Sequence, residues 1–365
     1  LEPGTTPAEN TQFLLFLTAV IKAVDDYQDL LRISVASAGN DHRLGANEAP
    51  PAIVSIFVGD ELQGVVDALV SGRPFAGAAQ PDLDTGAVVL PNIPKDNSDR
   101  NRTSPFAFTG NKFEFRMPGS SFNIACTNLM LNTAVAEALR LFADELESAP
   151  NPERGMADLI RRELAAHRRI LFNGNGYSAE WEAEAARRGL ACEPAASDAL
   201  AAMIAPKNLE LFAKMGVLSE TEARSRYEVK LEHYAKLRHI EAVTMMEITR
   251  RQLVPATLAY MTALANGIAA KQAACPGISC KAEEKALRQL TNYTDAMSDA
   301  ADRLEAQVEA AEAVPTAQAQ GRARAYHDQV LPAMNALRAA ADAAEAICGQ
   351  EYWPLPSYSS MLYYV

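Results

Sequence analysis

The chain has 365 residues, 48% hydrophobic and 22% charged. That is ordinary usage for a soluble globular protein, and it exceeds the ~250–300 residues at which one core stops growing, so two or more packed units are expected. Thirty-four basic against 46 acidic residues give a net charge of −12, which disfavours nucleic acid or anionic lipid as a partner; no apolar run approaches the ~20 residues of a bilayer span.

In chain order, Phe13, Leu14, Phe16, Leu17, Val20, Ile21, Val24, Leu30 and Leu31 recur at steps of three and four, predicting a helix over about residues 7–34. The opening Leu-Glu-Pro-Gly-Thr-Thr-Pro before it has no initiator Met and no leader-like segment, and reads as an interior cut. Glycines, asparagines and Pro50-Pro51 then predict a loop over 38–51, followed by a strand through Ile53, Val54, Ile56, Phe57 and Val58. Residues 73–110 show no sustained period and predict a long irregular stretch with a short strand at 88–90. Lys112-Phe113-Glu114-Phe115-Arg116 alternates, placing three charges on one strand face and two phenylalanines on the other. A strong helix is expected over 124–147.

After Pro150 the composition turns to Ala, Glu, Arg and Leu, and strand signals vanish until the last dozen residues. A very long helical pattern over 220–274 must kink or break at Pro255. Two further helices, near 281–312 and 317–347, carry Leu287, Leu290, Met297, Leu304 and Val308 on one, and Tyr326, Val330, Met334, Leu337 and Ile347 on the other, as in an antiparallel bundle. The tail Tyr352-Trp353-Pro354-Leu355-Pro356-Ser357-Tyr358 is aromatic enough to dock on a neighbouring surface. The expected division is therefore 1–148, 149–350 and 351–365. Five scattered cysteines fit a reducing cytoplasm, with Cys275 and Cys280, which bracket a turn tight enough to permit a disulfide, read as free thiols by default.

Three segments carry candidate chemistry. Arg43 and Glu48 lie five residues apart on a glycine-containing loop: an arginine can clamp a carboxylate while a carboxylate takes a proton, and an incidental surface ion pair fits the spacing as well. Asp99-Arg100-Asn101-Arg102-Thr103-Ser104 concentrates cations and hydroxyls as a polyphosphate site requires; a solvated charge cluster reads the same way. Lys112, Glu114 and Arg116 either line a cavity, with Glu114 on a hard divalent cation, or form an exposed sheet face of cross-strand ion pairs.

Taken together and in order, Asn40 to Leu44, Glu48-Ala49-Pro50, Arg100-Asn101-Arg102-Thr103 and Lys112-Phe113-Glu114-Phe115-Arg116-Met117-Pro118 resemble the motif series of glutamine synthetases, over roughly residues 8–145. The longer loops, the helical carboxy-terminal region and the Tyr-Trp-Pro-Leu-Pro-Ser-Tyr ending resemble the type III branch. The resemblance implies an α+β fold, an incomplete antiparallel-sheet catalytic domain followed by an all-α extension of long antiparallel helices. It implies glutamate, ammonia and ATP as substrates, Mg2+ or Mn2+ as the metal, a ring-forming homo-oligomer and a cytoplasmic location. It assigns Arg43 and Arg116 to glutamate, Glu48 to the ammonium proton, Arg102, Arg100 and Lys112 to the nucleotide phosphates, and Glu114 to the metal. A γ-glutamyl-amine ligase using a larger amine, and an assembly module built on the helical bundle, are the competing expectations.

The sequence departs from the family pattern in places. The flap between Arg43 and Glu48 is one residue shorter than in the type I form, Lys112 stands where an arginine is usual, and Ala107 replaces a further arginine for which Arg100 or Lys95 can substitute. The family's other metal ligands come from strands preceding the first helix, so this chain is expected to lack a complete metal site and to be inactive alone.

Overall fold

The computed structural model describes residues 1–4, 7–45, 49, 51–75, 82–83, 93–94 and 103–362. The chain forms two compact units, residues 1–230 and 231–365. The composition change at 148–149 and this division by packing are different boundaries, because residues 152–230 pack with what precedes them.

The first unit opens with α1 (Thr11–Asp26), whose start is fixed by the Asn10 side chain accepting from Phe13 N at 3.0 Å. The helix expected over 7–34 is interrupted at Tyr27, after which α2 (Gln28–Ser34) begins. α3 (Ala38–Arg43) is capped by Ser37, which accepts from Asn40 N at 3.2 Å. The strand expected over 53–58 reduces to β1 (Ile56–Phe57), and α4 (Gly59–Ser71), to which the sequence reading assigns no element, follows at once. β2 (Asp82–Leu83) pairs antiparallel with β3 (Ile93–Pro94), while the strand expected at 88–90 lies outside the described residues. β4 (Phe106–Phe108), β5 (Phe113–Phe115) and α5 (Ala125–Glu147) complete this part.

The sheet β1–β4–β5 differs from the antiparallel expectation: β4 and β5 are antiparallel, with Ala107 opposite Glu114, but β1 runs parallel to β4, with Ile56 opposite Phe106. A parallel pair needs a long crossover, and 48 residues separate Phe57 from Phe106. The alternation in β5 does what its pattern implies. Phe113 stacks on Phe106 at 4.9 Å and Phe115 meets the same ring edge-on at 5.9 Å.

α6 (Pro152–His167), α7 (Ala179–Arg187), α8 (Ala196–Ala199), α9 (Pro206–Lys214) and α10 (Glu220–Ile248) follow, the unit boundary falling inside α10. The core forms where Leu14, Leu17, Ile21 and Val24 of α1 meet Phe106 and Phe108 of β4, Ile160 and Leu164 of α6, and Trp181 of α7. On a second face of α1, Ala19 and Ala23 pack with Ala134 and Ala138 of α5, where small side chains let two helices approach closely. The segment after residue 150 also reaches the sheet: Phe172 N donates to Ile56 O at 2.8 Å, and Ile53 bridges to Cys192.

The second unit contains α11 (Val254–Ala274), α12 (Lys281–Glu312), α13 (Ala319–Ala325) and α14 (Leu331–Glu345). α11 and α12 run antiparallel: Lys271 pairs with Glu283 at the turn, Thr294 Oγ1 donates to Thr257 Oγ1 at 2.9 Å midway, and Arg250 reaches Asp302 at 2.8 Å and Glu305 at 2.7 Å at the far end. Leu290, Met297, Leu304 and Val308 are buried with Tyr326, Val330, Met334 and Leu337, whereas Leu287 and Ile347 are only half-buried. The break expected at Pro255 takes the form of a π-turn over Thr249–Leu253, and a second π-turn, Tyr326–Val330, precedes Pro332. A proline clashes with the carbonyl four residues earlier, and the wider turn makes room for it without ending the helix.

Contrary to the sequence expectation, the chain does contain an apolar run of bilayer-spanning length. The helical span Glu220–Ala274 contains a window long and apolar enough to cross a bilayer by length and composition, and only 17% of that window is buried. All five cysteines are free thiols, Cys280 buried and Cys275 exposed. In the tail, Tyr352 packs on Tyr260 at 5.0 Å, but Tyr358 in α15 (Tyr358–Leu362) is 82% exposed.

Candidate functional site

Of the residues implicated by sequence, Arg43 and Arg116 are brought together. Three-residue spacing on α3 puts Asn40 and Arg43 on one face of the helix. Buried Asn40 donates through Nδ2 to Val35 O at 2.9 Å and Met117 O at 3.1 Å, and accepts from Arg43 Nη1 at 3.3 Å. Arg43 Nη1 also donates to Met117 O at 2.9 Å and Nη2 to Arg116 O at 3.5 Å. A helix end and a strand end more than 70 residues apart are thereby latched. The role of Asn40 as the latch was missed by sequence reasoning, although the short Asn-to-Arg spacing on one helix turn is a signal for it.

Glu114 on β5 and Arg116 just beyond its end are two residues apart and paired. Arg116 Nη2 donates to Glu114 Oε2 at 2.9 Å and Nε at 3.2 Å. Lys112 is not on the strand as expected. It sits in the turn between β4 and β5, exposed, its carbonyl accepting from Thr109 N at 2.9 Å, and Gly110 at φ +98° supplies the left-handed residue that the turn requires. Glu48, Arg100, Arg102 and Lys95 lie outside the described residues. Ala107, opposite Glu114, is wholly buried.

Glu114 alone does not make a centre for Mg2+ or Mn2+. Such an ion takes about six oxygen ligands, and the Glu114 carboxylate is already engaged by Arg116. The acidic and histidine side chains that do converge among the described residues are Asp25, Asp26 and His167. Cations already occupy that cluster: Arg169 Nε donates to Asp25 at 2.9 and 3.1 Å, and Lys22 Nζ reaches Asp26 at 2.9 Å and Glu163 at 3.4 Å. His167 Nδ1 lies 2.8 Å from Asp25 Oδ2. The group is an ionic seam joining α1 to α6.

Burial works against charge on Lys22, but hydrogen bonding to Asp26 and the charges of Asp26 and Glu163 outweigh it and hold the ammonium above its ordinary value. Burial likewise opposes charge on Glu163, yet Arg162 and Lys22 hold its carboxyl below the usual range. Hydrogen bonding to Arg140 does the same for Glu137, which burial opposes and Lys214 assists. Depressed carboxylates contribute stability that is full above their unfolded value near ~4.3 and is lost as pH falls through the folded one. The thermal midpoint, followed by circular dichroism, is therefore expected to drop below about pH 4.5, and Glu137→Gln should be less stable at pH 7 with a shallower acid decline. Equal acid slopes in both proteins would contradict this assignment.

A family model for the glutamine synthetase C-terminal domain matches residues 155–272. The chain is 38% identical to a protein of Dictyostelium discoideum named type-3 glutamine synthetase, aligned over all of this chain and 50% of that one. It is 42% identical to a glutamine synthetase of Butyrivibrio fibrisolvens, over all of this chain and 52% of the relative. The chain matches the carboxy-terminal part of glutamine synthetases. A glutamine synthetase of Bacteroides fragilis is 34% identical over 99% of this chain and 51% of its own. The chain thus spans about half the length of the curated relatives it matches, and the resemblance read from residues 40–118 extends through both units.

Proposed function

We propose that this chain supplies the glutamate side of the active site of a glutamine synthetase, a ligase that condenses glutamate with ammonia at the expense of ATP. The observation that carries the reading is the latch that sets Arg43 against the backbone of Arg116 and Met117. Two arginines meeting at one corner suit an amino acid with two carboxylates, because a guanidinium donates to a carboxylate in bidentate fashion.

A carboxylate is inert to amines, so the reaction runs in two steps. A γ-carboxylate oxygen of glutamate attacks the γ-phosphorus of ATP and ADP leaves; ammonia nitrogen then attacks the acyl carbon of the γ-glutamyl phosphate and inorganic phosphate leaves. Glu48 takes the proton from ammonium before that attack. Arg102 neutralises the transferring phosphoryl group, Arg100 and Lys112 stand near the nucleotide phosphates, and Arg43 stabilises the phosphorylated intermediate. Glu114 would supply one oxygen ligand to a divalent ion, which takes about six. Alone, the chain is therefore inactive, and in the complete protein it works within a homo-oligomer.

The test is ADP release by the full-length protein with glutamate and ammonium. Glu48→Ala is expected to remove the ammonium-dependent release, and ethanolamine should not replace ammonium. Ethanolamine accepted in preference to ammonium would transfer the reading to a γ-glutamyl-amine ligase. No release by a folded full-length protein would leave the helical units as an assembly module.

A further inference from the structure

A cavity of about 520 Å³ in the first unit is lined by Arg168, Arg169 and Arg188, together with Gln63 and the loop from Leu171 to Gly174. Three arginines and no acidic residue line it, in a chain of net charge −12. None of these residues is among those assigned to glutamate, ATP or metal, and the inference does not rest on that assignment.

The arginines are held in place rather than free to leave. Arg188 Nη1 donates to Leu171 O at 2.8 Å and to Arg169 O at 3.3 Å, Nε donates to Glu184 at 2.9 Å, and the guanidinium lies 5.8 and 5.4 Å from the ring centroids of Phe172 and Trp181. Arg169 is fixed by Asp25 and by Gly189 O, and Arg168 pairs with Asp67 of α4 at 2.8 Å. The Nη2 groups of Arg169 and Arg188 make no hydrogen bond among the described residues. The loop is equally constrained: Asn173 Oδ1 accepts from Val58 N at 3.0 Å and Gly59 N at 3.1 Å, Phe172 stacks on Trp181 at 3.7 Å, and a Cβ on Gly174 would lie 2.5 Å from the Phe172 ring. Preorganised forks with unused donors bind oxyanions without the ordering cost that mobile surface arginines bear.

We propose that this cavity binds a small organic anion through a phosphate or carboxylate group. Its volume falls within the range of small-molecule sites and is far larger than a bare oxyanion needs. Through Asn173 and the hydrogen bond from Phe172 N to Ile56 O, the occupied cavity would brace β1 and the start of α4, which follow the segment carrying Glu48.

The experiment uses the 365-residue chain with Trp353→Phe, which leaves Trp181, stacked on Phe172, as the only tryptophan. Inorganic phosphate, glycerol 3-phosphate and citrate are titrated at roughly physiological ionic strength, where long-range attraction is screened, with glycerol as the neutral control. The expected result is saturable binding of glycerol 3-phosphate or citrate at one site per chain, with a change in Trp181 emission and none with glycerol; the tighter of the two identifies phosphate or carboxylate as the bound group. Arg168→Glu should weaken it at least tenfold, while Arg161→Glu, on α6 outside the cavity lining, leaves it unchanged. If Arg168→Glu does not fold, Arg168→Gln serves, with at least a threefold loss. Failure of all three anions to saturate, equal weakening by Arg161→Glu, or inorganic phosphate binding as tightly as both organic anions would overturn the proposal.

Discussion

Arg43→Ala in the full-length protein is expected to lower kcat/KM for glutamate by about 10²–10³-fold, the usual cost of removing one donor from a preorganised anion-stabilising set. The side chain has two tasks that the substitution separates. Its bonds to Met117 O and Asn40 Oδ1 hold the end of α3 against the residues after β5, and their loss should cost about 1–2 kcal/mol of stability. If glutamate is also bound there, activity must fall far more than stability does. Arg43→Lys keeps the charge but not the planar fork, so it should recover part of the affinity for glutamate and little of the latch. Steady-state kinetics beside urea unfolding separate the two effects. Loss of stability with unchanged kcat/KM would reduce Arg43 to a structural residue.

Asp41→Ala is expected to destabilise the first unit by about 3–5 kcal/mol, the cost of breaking a buried ion pair from one side. Arg32 and Asp41 pair at 3.0 Å with side chains 4% and 8% exposed, and Arg32 also donates to Glu193 O and Pro194 O at 2.6 and 2.9 Å. The other Asp41 oxygen accepts from Ala196 N at 2.5 Å. Removing the carboxylate therefore leaves the Arg32 guanidinium of α2 buried without its counter-charge and frees the segment leading into α8. Asp41→Asn, which keeps an acceptor for Ala196 N, should lose less than the alanine variant. Trp181 emission during urea unfolding, in a Trp353→Phe background, reports the first unit. A loss below about 1 kcal/mol, as for a solvated pair, would show that Arg32 remains hydrated.

Local pattern predicted what local physics decides. The apolar stripe of Leu14, Leu17, Ile21 and Val24 forms α1's core face, and the alternation of Phe113, Glu114 and Phe115 forms β5 with both rings against Phe106. Pro255 disturbs its helix where expected, though as a π-turn that keeps the helix going. What was not legible depends on partners distant in sequence. The short β1 was not legible because its neighbours, Phe106 and the strand-like stretch at Leu171 and Phe172, lie 50 and 115 residues away, and nothing near Ile56 encodes a parallel pairing. The break at residues 148–149 is a change of composition, whereas the packing division at 230 follows from α6 joining α1 through Lys22, Glu163 and His167.

The site shows the same split. Residue types at Arg43, Glu114 and Arg116 were legible through the family resemblance, whereas the hydrogen bond from Arg43 to the Arg116 carbonyl was not. Lys112 was misplaced because strict alternation cannot show where a strand ends and its turn begins; Gly110 was the available signal. The structural parts of Asn40, Asp41 and Arg32 escaped because a buried polar residue has no periodicity of its own, and only its partners reveal the need for it.

The most direct test is γ-glutamyl hydroxamate formation from glutamate, ATP and hydroxylamine, measured for the full-length protein and for this 365-residue chain side by side. The account predicts product from the full-length protein, lost in Glu48→Ala and Glu114→Ala, and none from the chain alone, whose described residues leave Glu114 without companion ligands. ATP-dependent hydroxamate formation by the isolated chain, or a well-folded full-length protein that forms none, would contradict it.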